Sequence, residues 1–465
     1  MSSSLALLFW FILLVALLCF DPARARTSPA LWVPVAWMFI LGSRLPSQWL
    51  GAGRLSLAAQ ALEEGNPLDR TISSVLILLA IGILTSRSFK WGAFFSQNAA
   101  LTAFLFFALL SVLWSDSSFI SFKRWFRDLG NYLMILVTLS DPLPLEAVRT
   151  LLRRLSFLLI PLSIVLVKYY PEMAKVYSTW TGIASYSGAA TSKNMLGMAC
   201  LISGLFFFWD TVTRWSDRKQ RRTKSIMLVN IALIAMTFWL LDISKSATSR
   251  LCLFLGCFVI LMAHSKAFQR HPGFFKALIP TAVLLYLVLV FGFDINAKIA
   301  GAVGRDPTLT DRTKIWSLLL SMQANPVLGA GYECFWLGPR LLRVWQQFGG
   351  LNEAHNGYLE VYLNLGIAGL FLLSVFLIAS YRTICRRLTP LSSLASLGLA
   401  LWTILLFYNV TEAGFRSGLM WLTFLLGAIV VPKRAEAPAP SVAGWEGAGA
   451  MEQLPNFPEA IGPWR

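Results

Sequence analysis

The chain has 465 residues, 56% of them hydrophobic and only 14% charged, with a mean hydropathy of +0.63. Soluble domains carry about 25% charge, so a soluble enzyme or binding module is excluded and most of the chain faces lipid or other helices. The net charge of +17 is scattered among interhelical loops rather than gathered in one domain or tail, which argues against nucleic-acid binding and for membrane orientation, with anionic lipid or phosphate partners second.

The 18 Trp and 33 Phe suit membrane interfaces, where aromatic rings collect. Six cysteines, at positions 19, 200, 252, 257, 334 and 385, fall mostly within apolar runs. They show no ligand-like spacing, so neither a disulfide framework nor a zinc site is indicated. The expected fold is an all-α polytopic membrane protein.

In chain order, Leu5 to Phe20 is apolar enough for a signal peptide. It lacks a basic start, and "CFDPARAR" makes a poor cleavage site, so it reads as the first span. Further apolar runs follow at 30–41, 72–84, 99–114, 129–139, 155–169, 195–213, 225–241, 251–263, 276–293, 358–380, 391–408 and 418–431, giving 12 or 13 expected helices. The loop Arg214 to Lys224 holds six Lys or Arg and is expected in the cytoplasm. Alternation then puts 168–194, 242–250 and 294–357 outside. It also puts 115–128 outside, despite Lys123, Arg124 and Arg127.

The domain reading is accordingly 1–293 as transmembrane helices, 294–357 as one large periplasmic loop containing short helices, 358–431 as C-terminal spans and 432–465 as a disordered cytoplasmic tail. Cations kept in outward loops against the topology rule suggest an anionic headgroup or diphosphate as partner, although long loops also translocate regardless of charge.

The stretch from Asp294 to Gly369 is where the chain leaves the apolar regime longest and returns through Glu, His and Asn. His355 stands at that return, with Asn356 placed to cap the next helix. A neutral imidazole suits proton abstraction from a hydroxyl near neutral pH, but a loop His also often only satisfies backbone. His264 and His271 flank a basic turn and read as solvated. Glu360 and Asn364 share a helix face inside an apolar run, so they should look into the bundle or a wet cavity.

"TLTDRTKIW" reads as a helix start with Thr310 as N-cap and an apolar stripe of Ile315, Trp316, Leu319 and Met322. Arg312 in its first turn opposes the helix dipole. Either an anion docks there, or the residue bridges to Asp306 or Glu353. Lys193 with Asn194, and Lys245 with Arg250, add cations at the mouths of two further runs. "GAG" at 329–331 lacks the context of a nucleotide fingerprint and reads as a turn.

Five segments in order, "SKN–LG", "SKSATSRL", "TLTDRTKIW", "P–LGAGYECFW" and "AHNGYLEVYLNLGIAGL", resemble the O-antigen ligase and polymerase superfamily over about residues 180–370. Ser192 stands where relatives carry His. The resemblance implies metal-independent glycosyl transfer at the periplasmic side of the bacterial inner membrane, with no cofactor. The donor would be an undecaprenyl-diphosphate-linked glycan, and the acceptor another glycan or lipid A core. It implies His355 as base or acceptor-orienting residue and Arg312 and Arg250 on the diphosphate, with Lys193 and Lys245 in support; from their positions in the chain, Glu360 joins His355 as a catalytic candidate and Asn356 and Asn364 as candidates for acceptor orientation. The rival class is a flippase for lipid-linked oligosaccharide. That reading needs charged residues along several helices at mid-membrane or an internal repeat, and the sequence displays little of either.

Overall fold

The computed structural model describes residues 2–21, 26–51, 65–177, 184–293, 312–323, 325–388 and 393–432. Thr310, Asp306 and the tail from 433 onward lie outside the described residues. Apart from one antiparallel pair of three-residue strands, Lys175–Tyr177 and Ala184–Tyr186, the regular elements described are helices. Each apolar run of the sequence holds a helix. Eight are long and apolar enough to cross a membrane, or nine if the pair Trp91–Gln97 and Ala99–Trp114, bent by 97°, is one span.

Helices of that length among the described residues are fewer than the 12 or 13 helices expected. The difference lies in three short apolar helices. Two of these, Ser393–Tyr408 and Leu419–Ala428, are almost wholly buried against neighbours, so their apolar character serves protein packing rather than lipid contact. Helix Ser118–Leu139 differs again, with Lys123, Arg124, Arg127 and Asp128 in its first half and an apolar second half.

Burial separates the bundle into an inner and an outer set. Helices Pro144–Tyr169 and Lys193–Thr213 are 78% and 72% buried over their apolar windows, whereas Ser3–Phe20 and Pro67–Ser86 are each 17% buried. The outer helices leave long apolar faces exposed, a surface matched to lipid rather than water. The inner helices carry charge. Arg153 bridges Asp21 at 3.3 Å and Asp210 at 2.8 Å, Arg154 reaches Asp21 at 3.1 Å, and Arg214 reaches Asp210 at 2.9 Å. Every one of these charges has a partner, as burial requires.

A backbone exchange fixes the other end. Helix Gly357–Arg387 breaks at Gly366, where φ is 64° and ψ is −164°. The backbone groups freed there bond to the segment Asn325–Gly331. Ile367 N–H donates to Pro326 at 2.9 Å and Ala368 N–H to Val327 at 3.1 Å, while the N–H groups of Ala330 and Gly331 donate to Leu363 and Asn364. The "GAG" turn is therefore the piece that lets a loop lie inside a helix break, and a Cβ on Gly366 would fall 2.2 Å from the Val327 carbonyl oxygen. Helix Arg312–Ser321 covers this loop through buried Ile315 and Leu319, as its apolar stripe suggested.

Gly366→Ala should therefore destabilise the protein by at least about 1–2 kcal/mol from the left-handed backbone alone, with the clash adding to it. Gly82→Ala, on a helix where a Cβ meets nothing within 4 Å, is the control and should unfold at the wild-type temperature. Equal melting temperatures in detergent for the two variants would contradict this account.

Candidate functional site

The His355 site is assembled from two loops and three helix starts at one end of the bundle. Ala354 is held from both sides, its carbonyl accepting from Trp316 Nε1 at 2.8 Å and its N–H donating to Glu360. Asn356 caps helix Gly357–Arg387, accepting from Leu359 N–H at 3.0 Å, and its amide donates to the Val410 carbonyl. Between these anchors His355 adopts a left-handed φ of 49°, a conformation uncommon for any residue but Gly.

The His355 ring faces two carboxylates. Its Nδ1 stands 3.0 Å from Glu353 Oε1 and 3.5 Å from Glu412 Oε2, with neither contact aligned as a hydrogen bond. Glu412 is the hub of the cluster. Asn194 donates to both its oxygens, at 3.0 and 3.1 Å, and Arg312 approaches at 3.8 Å. The neighbouring Thr411 hydroxyl bonds Thr248 at 2.7 Å. Arg312, expected either to hold an anion or to pair with Asp306 or Glu353, has Glu412 as its carboxylate partner among the described residues.

Glu360 and Asn364 face the bundle interior, as their shared helix face led one to expect. Glu360 is fully buried, and its oxygens are taken by Trp336 Nε1 and the Ala354 N–H, so it supports the His355 loop from beneath. Asn364 likewise accepts from Phe335 N–H and donates to the Glu360 carbonyl. Arg250 and Lys245 are not gathered with His355. They line a groove of about 500 Å³ with Asp242, Leu251 and Phe254, and Arg250 pairs with Asp242 at 3.0 Å. Two residues along a helix turn by roughly 200°, so Thr248 faces the cluster while Arg250 faces away. Lys193 is exposed at the start of the helix that supplies Asn194. His264, read as solvated, is bonded to Ser396 at 3.2 Å.

Beside the cluster, Arg416 pairs with Glu333 at 2.8 Å and donates to the Asn352 carbonyl. Arg124 donates to the Glu333 carbonyl, and Arg127 pairs with Asp128 at 2.9 Å. The sequence reading singled out neither Glu412 nor Arg416. Their signal was a carboxylate and a guanidinium in the short connection 409–418 between two apolar helices. The three cations of 115–128, out of place under the topology rule, were the other signal.

The charges set each other's protonation. Burial works against an imidazolium at His355, but Glu353 and Glu412 outweigh it and lift its pKa to about 10. Burial also works to raise the Glu353 carboxyl, which His355, Arg416 and Arg312 nevertheless hold below its ordinary value. Glu353, His355 and Glu412 offer three ligand atoms within 4.8 Å of one another, a set with the donor types for a divalent ion. Arg312 beside Glu412 already brings positive charge to that point.

At neutral pH His355 is thus expected as imidazolium. Because its folded pKa lies above the ordinary 6.5, its contribution to stability should be complete below about pH 6.5 and vanish as pH rises toward 10. Nitrogen-15 NMR of the three histidines checks this, and Glu353→Gln should bring the titration down. A wild-type midpoint near 6.5 contradicts the geometry.

Residues 231–374 match the family model described as O-antigen ligase. The chain is also similar to the exopolysaccharide production protein ExoQ of Rhizobium meliloti (strain 1021), at 24% identity over 354 residues, covering 72% of this chain and 78% of the relative. The family match contains Arg312 and His355. The aligned length of the relative is long enough to take in most of the bundle.

Proposed function

We propose that this chain, which belongs to the superfamily of O-antigen ligases and polysaccharide polymerases, extends an exopolysaccharide at the periplasmic face of the bacterial inner membrane. The donor is a glycan on undecaprenyl diphosphate and the acceptor a sugar hydroxyl. Residues 294–357 are then the periplasmic loop. The observation that carries the reading is the pairing of two cations, Arg312 and His355, with carboxylates at a single point on one end of a membrane bundle. The relative's role in exopolysaccharide production supports a polymer as product.

In this reaction the acceptor oxygen forms a bond to the anomeric carbon, and the bond from that carbon to the diphosphate oxygen breaks. The diphosphate leaves with the electron pair. Charge grows on phosphate as it leaves, and Arg312 and the His355 imidazolium stabilise it. An imidazolium cannot accept the hydroxyl proton, so that role passes from His355 to Glu353, the more exposed of its two carboxylates. Glu360 and Asn356 act by holding the loop. Lys193, Lys245 and Arg250 meet the donor headgroup at the rim, and the transfer needs neither metal nor cofactor. The family description also fits a ligase acting on lipid A core, a choice made by the acceptor alone.

Purified protein given lipid-diphosphate glycan should lengthen it on a gel, and His355→Ala or Arg312→Ala should lower the rate about a hundredfold. EDTA should leave the rate unchanged. Chelator inhibition reversed by a divalent ion would convert the Glu353–His355–Glu412 group into a metal site. Unaltered product in the His355 variant would remove that residue from the mechanism.

A further inference from the structure

The Glu353 carboxylate faces two ways. One oxygen meets His355, and the residue also lines a separate cleft of about 200 Å³ with Arg127, Glu333, Arg416 and two methionines, Met198 and Met420. This cleft shares no lining residue with the Lys245–Arg250 groove. Its chemistry also differs. The groove is mostly apolar with Asp242, Lys245 and Arg250 in its lining, whereas the cleft sets the carboxylates of Glu333 and Glu353 and the guanidiniums of Arg127 and Arg416 among a small apolar lining.

Acceptors and donors brought together in one lining suit neighbouring ring hydroxyls, each of which both donates and accepts. At about 200 Å³ the cleft falls below the roughly 300–1,000 Å³ of drug-sized ligand pockets, so it has room for one sugar rather than an oligosaccharide.

We propose that this cleft is the acceptor subsite: it holds the terminal sugar of the acceptor glycan, with Arg416, Glu333 and Arg127 on its hydroxyls and the attacking hydroxyl at Glu353. The proposal rests on the glycosyl-transfer reading for its ligand and assigns to the acceptor a set of residues distinct from Asn356 and Asn364. Those two amides are buried in backbone contacts. The connection 409–418 thereby supplies Glu412 to the donor end and Arg416 to the acceptor end, four residues apart.

The test uses the full-length protein in detergent and the free repeat-unit glycan released from its lipid by mild acid. Ala413→Phe fills the cleft from a wall residue, and Arg127→Gln removes a guanidinium whose side chain is 56% exposed. Calorimetry should show binding of the free glycan to wild type, weakened at least about tenfold in each variant. In the transfer assay the KM for free glycan should rise by a similar factor, with the KM for lipid-linked donor unchanged. Unchanged glycan affinity in both variants, or a rise in donor KM instead, overturns the subsite. If wild type binds glycan through the cleft but transfers nothing, the subsite stands and the reaction assigned to it falls.

Discussion

The break at Gly366 and the loop bonded into it hold together the end of the bundle that carries the His355 cluster. In lipid a helix can open only where other groups take up its backbone donors and acceptors, and here the Asn325–Gly331 segment does so with four hydrogen bonds. The short half-helix ahead of the break is then fastened on every side. Gly357 N–H bonds the Asn409 carbonyl at 2.8 Å, Asn364 bonds Phe335, and Glu360 bonds Trp336 and Ala354. His355 can keep its left-handed backbone because both neighbours are tied down.

The cluster around His355 is close to balanced. Glu333, Glu353 and Glu412 stand against Arg312, Arg416 and the His355 imidazolium, and each of these charges has a counter-ion within 4 Å. An anionic group arriving here competes with carboxylates rather than meeting bare cations. Arg312, 3.8 Å from Glu412, is the more loosely held of the two guanidiniums, Arg416 lying 2.8 Å from Glu333.

Much of this was legible in the residues. The apolar runs located the helices because helices in lipid must be apolar along their length, and the polar re-entry at His355 and Asn356 marked a helix cap that the structure forms. Run length alone could not separate a span from a short buried core helix such as Leu419–Ala428, since both are uniformly apolar. The break at Gly366 was hidden, because "LGIAGL" reads equally as a packing motif. Glu412 and Arg416 were missed for a different reason. They come from a loop remote in sequence, and only the bundle's return path brings residue 412 to residues 194, 312 and 355.

The buried ion network lies 16 residues along helix Lys193–Thr213 from Asn194, roughly 24 Å at the helical rise, and so belongs to the opposite end of the bundle. Its members are spread along the chain, Asp21 standing before Arg153 and Arg154, and Asp210 after them. In the folded chain the two arginines of helix Pro144–Tyr169 share the carboxylate that caps the end of the first helix. The second carboxylate comes from the next long helix and completes the set. The first helix, only lightly packed and mostly facing lipid, is therefore tied to the inner set through a carboxylate just past its end.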